Sequence, residues 1–211
     1  AIKEYPRATL LTIFRKVCDA MMLAHSQGIL HRDLKPENIM VGEYGEVLVM
    51  DWGLAKVLGE REDNVSTVSR VNDTGDYGMT MEGEVMGTPQ YMSPEQATGM
   101  VAELDQRSDI YSLGGILYAI LTLRPPIDGT TLDEVLTKVK NGNISSMVTK
   151  RGGKGAVTVG APNAMGAEVP EALQAVTLKA TATDRNKRYP SVEVFAGDIE
   201  RYQNGFATQA E

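Results

Sequence analysis

The chain has 211 residues, 42% apolar and 23% charged, with a net charge of −7 and a pI near 5.0. That length buries a substantial core in one domain or two small ones, and the composition excludes bulk disorder. The acidic surplus argues against a nucleic-acid-binding surface, which needs a basic stripe, and the single cysteine, Cys18, excludes an intrachain disulfide.

Between Thr9 and Ser26, Leu10, Ile13, Phe14, Val17 and Met21 recur at spacings of three and four. That spacing predicts a helix preceded by Pro6 and stopped by Gly28, with Cys18 as a buried small hydrophobe. Two short β-rich runs follow, Ile39 to Val41 and Val47 to Met50, joined by GEYGE and read as a hairpin. The octet HRDLKPEN at 31–38 therefore lies on a loop between helix and hairpin, and DWG at 51–53 follows the second strand.

Residues 54–86 have no apolar period and a net charge of −4, the marks of a long polar loop. From Ser108 to Leu123 the chain is apolar nearly all round, which predicts a helix at the centre of a core, ended by Pro125 and Pro126. A short amphipathic helix carries Leu132, Val135, Leu136 and Val139 on one face. Residues 141–167 are rich in glycine and read as a long insertion; the RGGKGA within them lacks the spacing of a phosphate loop. Pro170 opens a helix through about Thr181. Ser191 caps the last helix, with Val192, Phe195, Ile199 and Tyr202 buried and Gly205 just past its end. These elements add up to a mainly α domain in which one small hairpin carries the polar loops.

The octet gathers the groups that phosphoryl transfer needs. Asp33, read as free of a local cation in sequence, can accept a proton or orient a hydroxyl, and Lys35, two positions on, places a positive charge beside that spot. Asn38 and Asp51 offer hard oxygen ligands at the start of one strand and the end of its hairpin partner, a pair suited to Mg²⁺ held jointly with phosphate. Positioning and charge neutralisation supply most of the catalysis in such reactions.

HRDLKPEN with DWG, GTPQYMSPE at 87–95 and DIYSLG at 109–114 resembles the catalytic subdomains of eukaryotic-like protein kinases. MSPEQA, RSDIYSLGGILYAILT and KRY at 187–189 are most similar to bacterial serine/threonine kinases. The resemblance runs from about Thr9 to Gly205 and implies a protein-kinase C-terminal lobe using ATP and Mg²⁺ to phosphorylate a protein substrate. It implies that Asp33 is the catalytic base, that Lys35 contacts the transferred phosphate, and that Asn38 and Asp51 ligate metal. Thr88 would hydrogen-bond near the base; with Lys35 it points to the serine/threonine branch. Met40 would lie beneath the adenine ring, and Arg32 would pair with a phosphorylated activation loop. His31 and Trp52 would stack as core residues under the site, with Gly53 completing that turn. Asp109 would hold the backbone of the HRD turn, and Glu95 would form a buried ion pair with Arg188.

On this resemblance, residues 54–95 are a long activation segment, with Ser66, Thr67, Ser69, Thr74 and Thr80 as candidate phosphosites and Thr80, nearest GTPQY, the first choice. DWG for DFG and SPE for APE are mild departures. A larger one is that the family's glycine-rich loop, its ATP-gripping lysine and that lysine's glutamate partner have no counterpart among the residues before His31. The expectation is a lobe without its N-terminal partner, part of something larger, since the chain opens on Ala1, and nearly inactive alone. Its bare upper face would favour a homodimer or a swapped activation segment. With no bilayer-length apolar run, no signal peptide and no disulfide, a cytoplasmic location is expected. The competing reading is a truncated lobe used only as a protein-interaction module.

Overall fold

The computed structural model describes residues 5–58, 89–100, 103–147 and 169–210. Among them are six α-helices: α1 (Arg7–Ser26), α2 (Pro94–Ala97), α3 (Gln106–Thr122), α4 (Leu132–Lys140), α5 (Glu171–Ala180) and α6 (Val192–Gln203). Four short strands, β1 (Ile29–Leu30), β2 (Ile39–Val41), β3 (Val47–Val49) and β4 (Lys56–Val57), form two antiparallel pairs. Most of the 141–167 insertion, RGGKGA included, lies outside the described residues.

Helix α3 is the axis of the fold, and every residue from Ser108 to Thr122 is buried. It has no polar face to offer water, so it is stable only when other helices enclose it. α1 packs on α3 and on α6, while α5 lies against both α3 and α6. Phe14 of α1 meets Phe195 of α6 edge to face at 5.8 Å, and Tyr189 lies 5.1 Å from the same ring. A smaller apolar cluster of Ala97, Ile127, Val135 and Val139 seats α4 beneath α2. Asp105, Thr131 and Ser191 cap α3, α4 and α6 through their side-chain oxygens.

Three expectations need correction. The central helix ends within a residue of the expected Leu123, at Thr122, but what stops it is not the proline pair: Leu123 adopts a left-handed conformation (φ 58°) and returns its N–H to the Ala119 carbonyl. Tyr202 is only partly buried against the core of α6. The fold also has a second strand pair besides the hairpin. β1 pairs with β4 in the register Ile29 with Val57 and Leu30 with Lys56, extended by the Leu58 N–H donating to the Gly28 carbonyl at 2.7 Å. This pairing closes residues 31–55 into one unit whose two ends are fastened together. No described helix is long and apolar enough to cross a membrane.

Candidate active site

The unit closed by β1 and β4 holds the octet, the hairpin and DWG. Ile39 faces Val49, Met40 faces Leu48, and Val41 faces Val47. One step beyond, the Met50 N–H donates to the Asn38 carbonyl at 2.8 Å, which sets Met50 opposite Asn38 and Asp51 one residue past the end of the ladder. Asp51 itself is exposed and left-handed (φ 59°), and a Cβ added to Gly53 would lie 3.3 Å from its Oδ1. A glycine there leaves room for the carboxylate.

Asp33 is not free of cations. Lys35 Nζ donates to its Oδ2 at 2.8 Å, and Asn38 Nδ2 donates to the same oxygen at 3.1 Å and to the Asp33 carbonyl at 2.8 Å. Two donors thus converge on Oδ2, leaving Oδ1 as the atom available to accept a proton. The same contacts use the Asn38 amide nitrogen, so its Oδ1 is the atom it can offer to a metal.

The turn that carries Asp33 is built from side chains rather than ladder bonds. Asp109 of α3 accepts from the His31 N–H through Oδ2 and from the Arg32 N–H through Oδ1, both at 2.9 Å. Arg32 is left-handed (φ 66°), a conformation that a non-glycine residue keeps only when its surroundings hold it there. His31 is fully buried; its Nδ1 accepts the Asp33 N–H at 3.2 Å and its Nε2–H donates to the Met50 carbonyl at 3.0 Å. That pattern identifies the neutral Nε2–H tautomer. Its ring lies 4.6 Å from that of Trp52, whose Nε1–H donates to the Val49 carbonyl at 2.9 Å. Trp52 is 38% exposed, so it caps the buried histidine rather than joining the core.

Below the site, Glu95 and Arg188 make a buried bidentate pair at 2.6 and 2.8 Å. Arg188 also donates to the carbonyls of Ala182, Thr183 and Arg107, so all five of its N–H groups are used, and it lies over the Tyr111 ring. Burial opposes ionisation of Glu95, but the Arg188 bonds and charge, with a bond from the Ser108 hydroxyl, hold its carboxyl below the ordinary value. Nearer the octet, burial and then the Glu37 charge push the Tyr91 phenol up.

Two residues at this site carry no mark in the motif reading. His25 at the end of α1 places Nε2 2.8 Å from Asp109 Oδ2, behind the HRD turn. Gln96 donates to the Arg32 carbonyl at 2.7 Å. The S-x-x-Q pattern of Ser93 and Gln96, a capping-box signature, is the sequence signal for the second. Met40 sits on β2, half exposed, and Arg32 Nε donates to the Leu54 carbonyl. Thr88, Thr74, Thr80 and the other candidate phosphosites lie outside the described residues. Among those described, no three His, Cys, Asp or Glu side chains cluster as metal ligands. The two side-chain oxygen donors of Asn38 and Asp51, with Lys35 bonded to Asp33 nearby, suit instead an ion that brings phosphate oxygens and water with it, as Mg²⁺ does.

Residues 2–196 match the family described as Protein kinase domain. The serine/threonine-protein kinase PknD of Protochlamydia amoebophila is 42% identical over 197 residues, 93% of this chain and 18% of that protein. PknD of Chlamydia caviae is 37% identical over 94% of this chain and 20% of its own length. The probable serine/threonine-protein kinase PknB of Bifidobacterium longum is 37% identical over 90% of this chain and 23% of its own length. The chain spans about a fifth of the length of these relatives.

Proposed function

The chain belongs to the protein kinase domain family, and on that premise we propose that residues 31–51 are the catalytic half of a bacterial serine/threonine protein kinase. In this reading the 211 residues are a C-terminal lobe that moves the γ-phosphoryl group of ATP onto a protein serine or threonine hydroxyl. One observation carries it: Lys35 and Asn38 converge on one oxygen of Asp33, while the hairpin sets Met50 opposite Asn38 and so Asp51 at the adjoining position.

The substrate hydroxyl oxygen bonds to the γ-phosphorus, and the bond from that phosphorus to the β,γ-bridging oxygen breaks, its electron pair leaving with ADP. The hydroxyl proton passes to Asp33, whose Oδ1 is not taken by Lys35 or Asn38. Lys35 sits where it can meet phosphate charge, and Asn38 Oδ1 with Asp51 would hold Mg²⁺. When bound, that ion neutralises charge on the phosphates. Asp33→Asn removes the acceptor while keeping the shape. In the full-length gene product it lowers kcat by roughly 10²–10⁴-fold, the worth of a positioned base, with ATP affinity little changed. Wild-type kcat in that variant overturns the base assignment.

A contact role is favoured by a different observation. Met40, Leu48, Trp52 and Leu54 are exposed on and beside the hairpin. In the proposed kinase this face meets the nucleotide-gripping lobe; in a non-catalytic module it meets a second copy. Loss of phosphoryl transfer in Asp33→Asn supports the enzyme, and wild-type protein with no transfer at all supports the module.

A further inference from the structure

We propose that Gln96 is a positioning residue for the Asp33 carboxylate, tying the end of the 54–95 segment to the base. The proposal rests on the reading of Asp33 as base given above.

Five backbone polar groups of the turn are held by four side chains. Asp109 takes the N–H groups of His31 and Arg32, His31 takes the Asp33 N–H, Asn38 takes the Asp33 carbonyl, and Gln96 takes the Arg32 carbonyl. The Arg32 carbonyl and the Asp33 N–H belong to the same peptide plane. Gln96 and His31 therefore grip that plane from its two edges, and the plane sets the direction of the Asp33 Cα–Cβ bond. Without Gln96, the bond at the carbonyl edge is lost and the plane can rotate about the His31 bond in a left-handed turn.

The amide is itself aimed. Gln96 Oε1 accepts from the Ser93 N–H at 3.1 Å and from the Ser93 hydroxyl at 2.9 Å. Reversing the amide would set oxygen against the Arg32 carbonyl and NH₂ against the Ser93 N–H. One orientation satisfies every group, so Nε2 is committed to Arg32. Gln96 is buried, and its contact with Arg32 spans 64 positions of sequence. A glutamine at this position thus has two tasks, capping α2 through its oxygen and fixing the Asp33 peptide through its nitrogen.

Those tasks separate in Gln96→Glu. A carboxylate still accepts from Ser93 and suits the first turn of a helix, but it offers no donor to the Arg32 carbonyl until it is protonated. In the full-length gene product, Gln96→Glu is expected to melt within about 3 °C of wild type, the scale of a minor stability change. The KM values for ATP and protein substrate should stay within about two-fold, and kcat should fall about 10- to 100-fold at pH 8, the cost of a misaimed catalytic group. The ratio of variant to wild-type kcat should then climb as pH falls through the range in which that carboxyl protonates, because the neutral acid regains a donor; burial favours the neutral form, the Ser93 donors and the helix N-terminus the charged one. Gln96→Met, close in volume and without a donor, should lose kcat with no such recovery. A ratio near one at all pH values, or a kcat loss that follows the melting temperature and ignores pH, overturns the proposal. If Gln96→Glu does not fold, full kcat in Gln96→Met overturns it as well. Asp33→Asn in the same assay keeps the two readings apart: activity there removes the base, whereas an inactive Asp33→Asn beside fully active Gln96 variants removes Gln96 alone.

Discussion

Asp109 holds two N–H groups of the Asp33 turn with one carboxylate and has His25 at its back, so a single α3 side chain fixes the start of the octet. Glu95 and Arg188 are a second such junction, and there the energetics can be tested. Removing one member of a buried, fully bonded pair strands the other, so Arg188→Met should cost about 3–5 kcal/mol at pH 7 by chemical denaturation. The pH dependence has a definite sign. The Glu95 carboxyl is held below its ordinary value of 4.5, so in wild type its contribution is present above that pH and is lost as pH falls through the folded-state value. In Arg188→Met the same carboxyl is buried without its charged partner, keeping only the Ser108 hydroxyl bond, and its value rises instead. The deficit of the variant should therefore shrink between pH 7 and pH 4. A deficit that is constant across that range would mean that lost packing, not the stranded charge, sets the cost.

Among the elements, α3 tolerates the least change. An added Cβ at Gly114 would lie 2.7 Å from Thr181 Cγ2 and 2.8 Å from Ala180 Cβ. The second atom moves only with the α5 backbone, so the glycine is what lets the two helices approach. Alanine gains about 1 kcal/mol of helix propensity but overpacks the contact by about 1–3 kcal/mol. Gly114→Ala should therefore lower the melting temperature by up to a few degrees. Gly197 in α6 meets nothing within 4 Å, and there alanine should raise it. Equal shifts of the same sign at both positions would remove the packing argument.

For the whole molecule, Asp33, Lys35, Asn38 and Asp51 share the one unit that β1 and β4 close, and on the proposed reading the family's glycine-rich loop and strand lysine are not among these 211 residues. The 211-residue chain by itself is expected to bind ATP weakly and to transfer little phosphate, as measured by titration calorimetry and by label incorporation into a generic substrate. Strong transfer that Asp33→Asn abolishes would overturn this. The exposed side chains of Met40, Leu48, Trp52 and Leu54 should also drive self-association of that chain. Sedimentation at rising concentration checks it, and a monomer throughout counts against it.

Local signals gave the sequence its helices and hairpin. Apolar spacing outlines α1 and α6, an unbroken apolar run outlines α3, Ser191 caps α6 as its type suggests, and the hairpin runs differ by a single residue, with Met50 lying just past β3. The chemical inventory was legible as well, because HRDLKPEN and DWG place their acid, cation and amide within a few residues of one another. What lay beyond reach was decided between residues far apart in the chain. Two-residue strands such as β1 and β4 are too short to show alternation, so the pairing that closes the site has no period to announce it. Leu123 stops α3 before either proline through a backbone conformation that its residue type does not favour. Gln96 meets Arg32, and His25 meets Asp109, at separations of 64 and 84 positions, across distances that spacing does not encode. Periodicity and motifs record which groups are present and which face they share. Only the packing of α1, α2 and α3 around one turn determines which atoms they touch, and so how the Asp33 carboxylate is aimed.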